Sequence, residues 1–247
     1  IRDRVKIVLI IAGLAVMSAF RVTLGTVKTK VKLELERDEI GGDFKLLSIE
    51  NKMESDRVSH FLQCLNAVKM EGEIIDWYDD TGNIVCPLPR EFVHYHNLLH
   101  RGVGIVLRRK PNEVYMHKRS ISKRTWPGLL DNMIGGIGLS GSSTLTTLVR
   151  ELKEELNLDI NARPIPTVVF LGTTTVETEQ NQCIVDNYIV HLSDGDEGRT
   201  FQFRDGEIEW GRWANLPEIQ AMIEADESAF VPSGLQCFRY IESNKWL

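Results

Sequence analysis

Hydrophobic and polar positions change period several times along this chain, and each change predicts an element. From residue 27 to 37, Val and Leu alternate with Lys and Glu, the period of a half-exposed strand or extended linker. Gly41 and Gly42 break that pattern. Residues 53–70 place Val58, Phe61, Leu62 and Leu65 at helical spacing. Residues 73–85 read as a hairpin turning at Asp79-Asp80-Thr81-Gly82-Asn83. Strands are expected over 102–107, 113–117, 168–171, 183–192 and 208–213, and His94 and His96 alternate along another. A glycine-rich loop leads into a helix whose apolar stripe is Leu145, Leu148, Val149, Leu152 and Leu156, with Ser142 or Ser143 as N-cap. A second helix is expected over 216–227, beginning near Pro217. Strands alternating with helices imply an α/β sandwich: a mixed sheet between helices, with an N-terminal extension. No internal repeat, low-complexity tract or heptad run interrupts the pattern.

Composition sets bounds. The 247 residues are 43% hydrophobic and 26% charged, enough for one core with an appended segment. The expected divisions are an apolar segment over 1–21, an extension over 22–72 and the main domain over 73–247. Residues 5–20 are nearly all apolar and follow Arg2 and Arg4. That run is short of the roughly 20 residues a membrane span needs. It fits a signal-peptide hydrophobic region, with Ser18-Ala19-Phe20 as cleavage context, or a buried strand and helix. Cys64, Cys86, Cys183 and Cys237 are scattered without a Cys-x-x-Cys pair, which argues against a zinc site and for reduced thiols in a cytoplasmic or organellar protein. Membrane contact is expected only if the apolar segment is an anchor. A net charge of −6 argues against binding a nucleic-acid polymer through bulk charge.

Local charge points to chemistry. Glu151, Glu154 and Glu155 stand at i, i+3 and i+4, so a helix gathers them on one face. Like charges so placed repel, and a hard divalent cation with oxygen ligands neutralises such a set. A solvated acidic face with an Arg150–Glu154 pair is the alternative. Just upstream, Arg108, Arg109, Lys110, His117, Lys118, Arg119, Lys123 and Arg124 form a basic cluster. Cations beside a carboxylate-rich metal site are what holding and polarising a diphosphate requires.

Residues 136–158 resemble the signature of the Nudix hydrolase superfamily: Gly, five residues, Glu, seven residues, Arg-Glu-apolar-any-Glu-Glu-any-Gly-apolar. Gly136, Arg150-Glu151, Leu152, Glu154-Glu155 and Leu158 match. Ser142 stands where the family has Glu, and Asn157 where it has Gly. Further motifs follow the order of the branch resembling isopentenyl-diphosphate isomerase: His94-Tyr-His-Asn-Leu-Leu-His, the run from Tyr115 through Trp126-Pro-Gly to Asn132, Asp205-Gly-Glu-Ile-Glu-Trp, and Phe230-Val-Pro. The likeness covers about residues 73–240.

The resemblance implies Mg²⁺ or Mn²⁺ on Glu151, Glu154 and Glu155, with Glu207 as a distal carboxylate that is a ligand or takes the water's proton. It implies that Arg150 orients Glu151, that Gly135 and Gly136 let backbone approach the metal, and that Arg119 and Lys123 hold diphosphate. Trp126 and Pro127 would shape the pocket rim. The implied function is metal-dependent hydrolysis of an organic diphosphate, nucleoside-linked or otherwise, with a small-molecule diphosphate as partner. A non-catalytic diphosphate-binding module and a prenyl-diphosphate isomerase are the alternatives. The isomerase pattern puts a catalytic Cys and a metal-binding His where this chain has Gly135 and Ile137; only His100, with His94 or His96 nearby, matches its histidines. Specificity is expected in loops over 173–182 and 193–200.

Overall fold

Alternating strands and striped helices build two compact units in the computed structural model, which describes residues 18–24, 31–37, 43–49, 55–192, 200–203 and 205–247. One unit comprises residues up to His100 with Glu179–Gln182; the other comprises Arg101–Thr178 and Cys183–Leu247.

In the first unit, strands β1 (Ser18–Leu24), β2 (Val31–Arg37) and β3 (Phe44–Ile49) form an antiparallel sheet in chain order. Helix α1 (Ser55–Asn66) follows, then the hairpin of β4 (Ile74–Tyr78) and β5 (Ile84–Pro89), then helix α2 (Arg90–Tyr95). The hairpin turns where the sequence indicates. Asp79 Oδ1 accepts from the N–H groups of Thr81 at 2.9 Å and Asn83 at 2.8 Å, an Asx-type turn. Trp77 is fully buried, with Phe44 at 6.1 Å and Phe61 edge-on at 6.0 Å. Of the apolar run, residues 18–20 open β1; residues 1–17, like 27–30 and Gly41-Gly42, lie outside the described residues. The strand expected through His94 and His96 is instead helix α2 and its C-cap. Two polar residues two apart are too few to define a period, and Val93, fully buried just before them, anchors the helix.

The second unit carries a seven-stranded sheet. Its strands are β6 (His100–Lys110), β7 (Glu113–Arg119), β8 (Leu130–Asp131), β9 (Ile134–Ile137), β10 (Thr167–Glu177), β11 (Gln182–His191) and β12 (Ile208–Asn215). The order is β10-β11-β6-β7-β12, with β9 paired to β6 and β8 to β7. Helix α3 (Thr144–Leu156) lies on one face, and α4 (Leu216–Ala225) and α5 (Pro232–Ser243) on the other. Alternation along the strands sorts the side chains. Val103, Ile105 and Leu107 of β6, Tyr115 of β7 and Tyr188 and Val190 of β11 meet Leu148, Leu152 and Leu156 of α3. Val106, Val114, Met116 and Ile189 face the opposite way, to Ile219 of α4 and Phe238 and Ile241 of α5. This is the expected sandwich. Full burial of Leu148, Leu152 and Leu156 contributes about 1.5–3 kcal/mol each, whereas Leu145, expected on the same stripe, is exposed in the first turn of α3.

Strand β10 runs to Glu177, so the first part of the loop expected over 173–182 is sheet, while 193–199 lies outside the described residues. Among the described residues, no helix is long and apolar enough to cross a membrane.

Candidate active site

The N-terminus of α3 is fixed by Ser143, whose Oγ accepts from the Thr146 N–H at 3.1 Å. Ser142 is not the cap; its N–H closes a turn to the Leu139 carbonyl at 2.9 Å, and its side chain is exposed. The helix ends on Asn157 at φ 52°, and the Leu158 N–H reaches back to the Leu152 carbonyl at 2.9 Å. Asn thus takes the left-handed position that the family signature gives to Gly.

Between these ends, Arg150 joins loop to helix. Its guanidinium donates to the Ile137 carbonyl at 2.8 Å and to Glu154 Oε2 at 2.8 Å, and forms an ion pair with Glu151 Oε1 at 2.6 Å. Glu151 turns inward, 7% exposed, and its carboxylate fills the space a side chain at Gly136 would need. At Gly135 the requirement is weaker: an added Cβ would meet only the Val103 carbonyl oxygen, at 3.4 Å. Glu155 is 3% exposed beside Glu151, whereas the Glu154 side chain is 51% exposed. The helix therefore splits the expected trio. At 100° per residue Glu155 lies about 40° from Glu151, towards the buried Leu152, while Glu154 lies about 60° the other way.

A second segment closes on this face. The turn from Arg119 to Leu129 is held by Arg119 N–H to the Leu129 carbonyl at 2.9 Å and by the Arg119 guanidinium on the Thr125 carbonyl at 3.1 and 3.3 Å. It carries Lys123 inward. The Lys123 ammonium pairs with Glu207 and stands 3.8 Å from Glu155 Oε1. Glu207 is placed by its N–H to Asp205 Oδ1 at 3.0 Å and by its carbonyl, which accepts from the Ser120 N–H at 2.8 Å. Burial raises the Glu155 carboxyl pKa; Glu151 adds to the rise and Lys123 opposes it. Burial lowers the Lys123 pKa, against the pull of Glu155. The structure thus links Glu151, Glu155, Glu207, Lys123 and Arg150 in one network of charges. Arg119 supports the turn and acts on Lys123 and Glu155 through its charge.

Two buried residues lie beside this site: Asp131, to which the sequence assigned no role, and His117, which the sequence placed in the basic cluster and which burial instead holds uncharged. Asp131 is 6% exposed, accepts from the Met133 N–H at 3.0 Å, and is pushed up to about 7 by burial, with the Arg119 charge opposing. His117 is its cross-strand partner, 2% exposed, with no hydrogen bond to Nδ1; burial, then Arg119 and Lys123, hold it down at about 3. The signal was present as a His within Val-Tyr-Met-His and an Asp after Leu-Leu, polar residues where a strand pattern demands apolar ones. His100 belongs to the first unit, buried with Nδ1 on the Leu98 carbonyl at 2.9 Å and its ring 5.2 Å from that of His94.

Among the described residues, no three His, Cys, Asp or Glu side chains are drawn together closely enough to hold a metal ion as they stand. The donors nonetheless suit a hard divalent cation in kind. Two carboxylates are buried side by side, and a chain-derived cation stands in contact range of one of them and of Glu207.

A family model described as the NUDIX domain matches residues 98–233, more than half of the chain. The chain belongs to the Nudix family. An uncharacterized Nudix hydrolase, orf19, of Rhodococcus erythropolis is 26% identical over 65% of this chain and 86% of its own length. An isopentenyl-diphosphate Delta-isomerase of Citrobacter koseri is 27% identical over 66% of this chain and 88% of its own. The Nudix signature and the likeness to the isomerase branch thus both hold. In fold, the protein is similar to DR0079 of Deinococcus radiodurans, with a TM-score of 0.55, 24% identity, and coverage of 68% of this chain and 98% of that one.

Proposed function

We propose that this Nudix protein hydrolyses an organic diphosphate with Mg²⁺ or Mn²⁺ held by Glu151, Glu154, Glu155 and Glu207. The observation that carries the reading is Arg150, which ties the Ile137 carbonyl, Glu151 and Glu154 into one frame with Gly136 leaving room for Glu151. A divalent cation bound there supplies Lewis acidity, making water more acidic and offsetting charge on the phosphoryl oxygens. The protein's part is to hold the carboxylates, meet the diphosphate charge with Lys123 and Arg119, and take a proton. The water oxygen bonds to phosphorus as the bridging P–O bond breaks. The water's proton passes to Glu207 or a carboxylate of α3, and the severed phosphate departs with the bridging oxygen.

Isomerase chemistry fits these residues poorly. Gly135 offers no thiol to protonate an alkene, and Ile137 offers no metal ligand. One observation favours a diphosphate-binding module instead: Ser142, exposed and short, brings no carboxylate to the position where the signature has Glu. A panel of nucleotide, sugar, thiamine and prenyl diphosphates, with Mg²⁺, Mn²⁺ or EDTA, decides between the readings. Metal-dependent release of a phosphate product, lost in Glu155→Gln, supports hydrolysis. Ligand binding without release supports the module, and deuterium uptake from solvent into a prenyl product supports isomerisation.

A further inference from the structure

Lys123 is the unusual member of the site. A lysine meant only to grip a diphosphate would extend into solvent, where its four-carbon stem and strongly hydrated head are at least cost. Here the side chain is only 18% exposed, and its ammonium lies between Glu207 on the strand-edge turn and Glu155 on α3. Glu155 sits 3.8 Å from that nitrogen and is 3% exposed. A carboxylate so deep, with Glu151 beside it, needs a positive charge close by. The turn that carries Lys123 has the backbone to hold it there, through its N–H to the Ser120 carbonyl at 3.1 Å and the Ser120 N–H to the Glu207 carbonyl at 2.8 Å.

We propose that Lys123 is the resident cation of the metal-free site, and that a divalent ion enters by displacing its ammonium from Glu155 and Glu207. This rests on the reading of these carboxylates as metal ligands. Two cations cannot share the same carboxylates at contact distance without strong repulsion. Metal binding therefore works against the Lys123 pairing, and the apparent metal affinity is lower than the carboxylates alone would provide. Lys123 is in this sense a positioning residue: it keeps Glu155 and Glu207 in place before the metal arrives.

The test is Mn²⁺ binding to the full chain at one fixed pH, followed by the electron paramagnetic resonance signal of free Mn²⁺, for wild type, Lys123→Met and Lys123→Arg. Lys123→Met is expected to bind Mn²⁺ about tenfold tighter than wild type, because no ammonium has to leave. Lys123→Arg, which keeps a permanent charge, is expected to bind no tighter than wild type. Thermal melts give a second readout. Metal-free Lys123→Met should melt lower than wild type, by a few degrees on the order of a lost buried charge partner, and Mn²⁺ should raise its melting temperature more than it raises that of wild type. Equal or weaker Mn²⁺ binding in Lys123→Met overturns the exchange while leaving the metal site standing. If that variant does not fold, tighter binding by Lys123→Arg than by wild type overturns it instead. No Mn²⁺ binding by any of the three removes the metal site, and the exchange with it.

Discussion

The carboxylate of Glu151 occupies the space in which a side chain at Gly136 would lie. That single contact couples the β9 backbone to the first acidic residue of α3. It explains why the chain carries glycine there, in strand β9 rather than in the loop the sequence suggested, and it makes β9 part of the carboxylate site.

Gly136→Ala should therefore act through Glu151. The methyl group must push the carboxylate off its position or shift β9, an overpacking cost of about 1–3 kcal/mol. The expected outcome is a lower melting temperature together with weaker Mn²⁺ binding. Gly135→Ala, which meets only a carbonyl oxygen at 3.4 Å, should cost less on both measures.

Glu155→Gln and Glu154→Gln are both expected to abolish metal-dependent turnover on whichever diphosphate the panel identifies. Loss of a metal-holding charge removes several kcal/mol of transition-state stabilisation, or about a thousandfold in rate or more. The two should differ in stability. Glu155 is buried, so neutralising it relieves a desolvated charge, whereas Glu154 is half exposed and its pairing with Arg150 contributes little. Full activity in both variants would remove the α3 carboxylates from the mechanism.

Arg150→Lys separates positioning from charge. A lysine cannot span the Ile137 carbonyl, Glu151 and Glu154 at once, since it lacks the planar fork. The expected result is a fall in kcat by on the order of tenfold to a hundredfold with KM little changed. A change confined to KM would mean that Arg150 touches substrate.

Asp131 sets a pH dependence of stability. Its carboxyl is pushed up to about 7 in the fold, against an ordinary value of 3.8. Between those values the folded state holds a proton that the unfolded state has lost, so this residue's contribution falls as pH rises from about 4 to about 7. The penalty is complete above pH 7 and is on the order of a few kcal/mol. Urea unfolding at pH 5 and pH 8 should show Asp131→Asn gaining on wild type at the higher pH. His117, held down at about 3, works in the opposite sense: the unfolded state gains a proton first as pH falls below about 6.5, so stability is lost on acidification. His117→Asn should flatten that acid limb.

Ser142→Glu restores the signature position. The residue is exposed in the turn before α3, so the fold should accept the change without loss. Turnover is expected to hold or rise. A large fall would show that this chain uses the position differently from its relatives.

Much of this was legible from residue order. The helical stripe of Leu148, Leu152 and Leu156, the hairpin turn at Asp79 and the alternation along β6 and β7 each follow from local period and turn chemistry, which depend on neighbours in the chain. The acidic pair Glu151 and Glu155 and the reach of Arg150 to Glu154 follow from helix geometry in the same way. Helix α5 could have been read from Leu235, Phe238 and Ile241, whose spacing repeats every three residues. The brief alternation at His94 and His96 misled because it spans too few positions to define a period.

Tertiary structure alone decided which charges meet. Lys123 and Glu207 are 84 residues apart in the chain and pair only because the turn after β7 lies against the start of β12. The outward turn of Glu154 depends on which flank of α3 is pressed to the sheet. The burial of Asp131 and His117 depends on β8 pairing with β7. Local sequence specifies elements because backbone hydrogen bonds and side-chain periods are short-ranged. A site made of buried charges arises from desolvation and long-range pairing, and those exist only once the elements have packed.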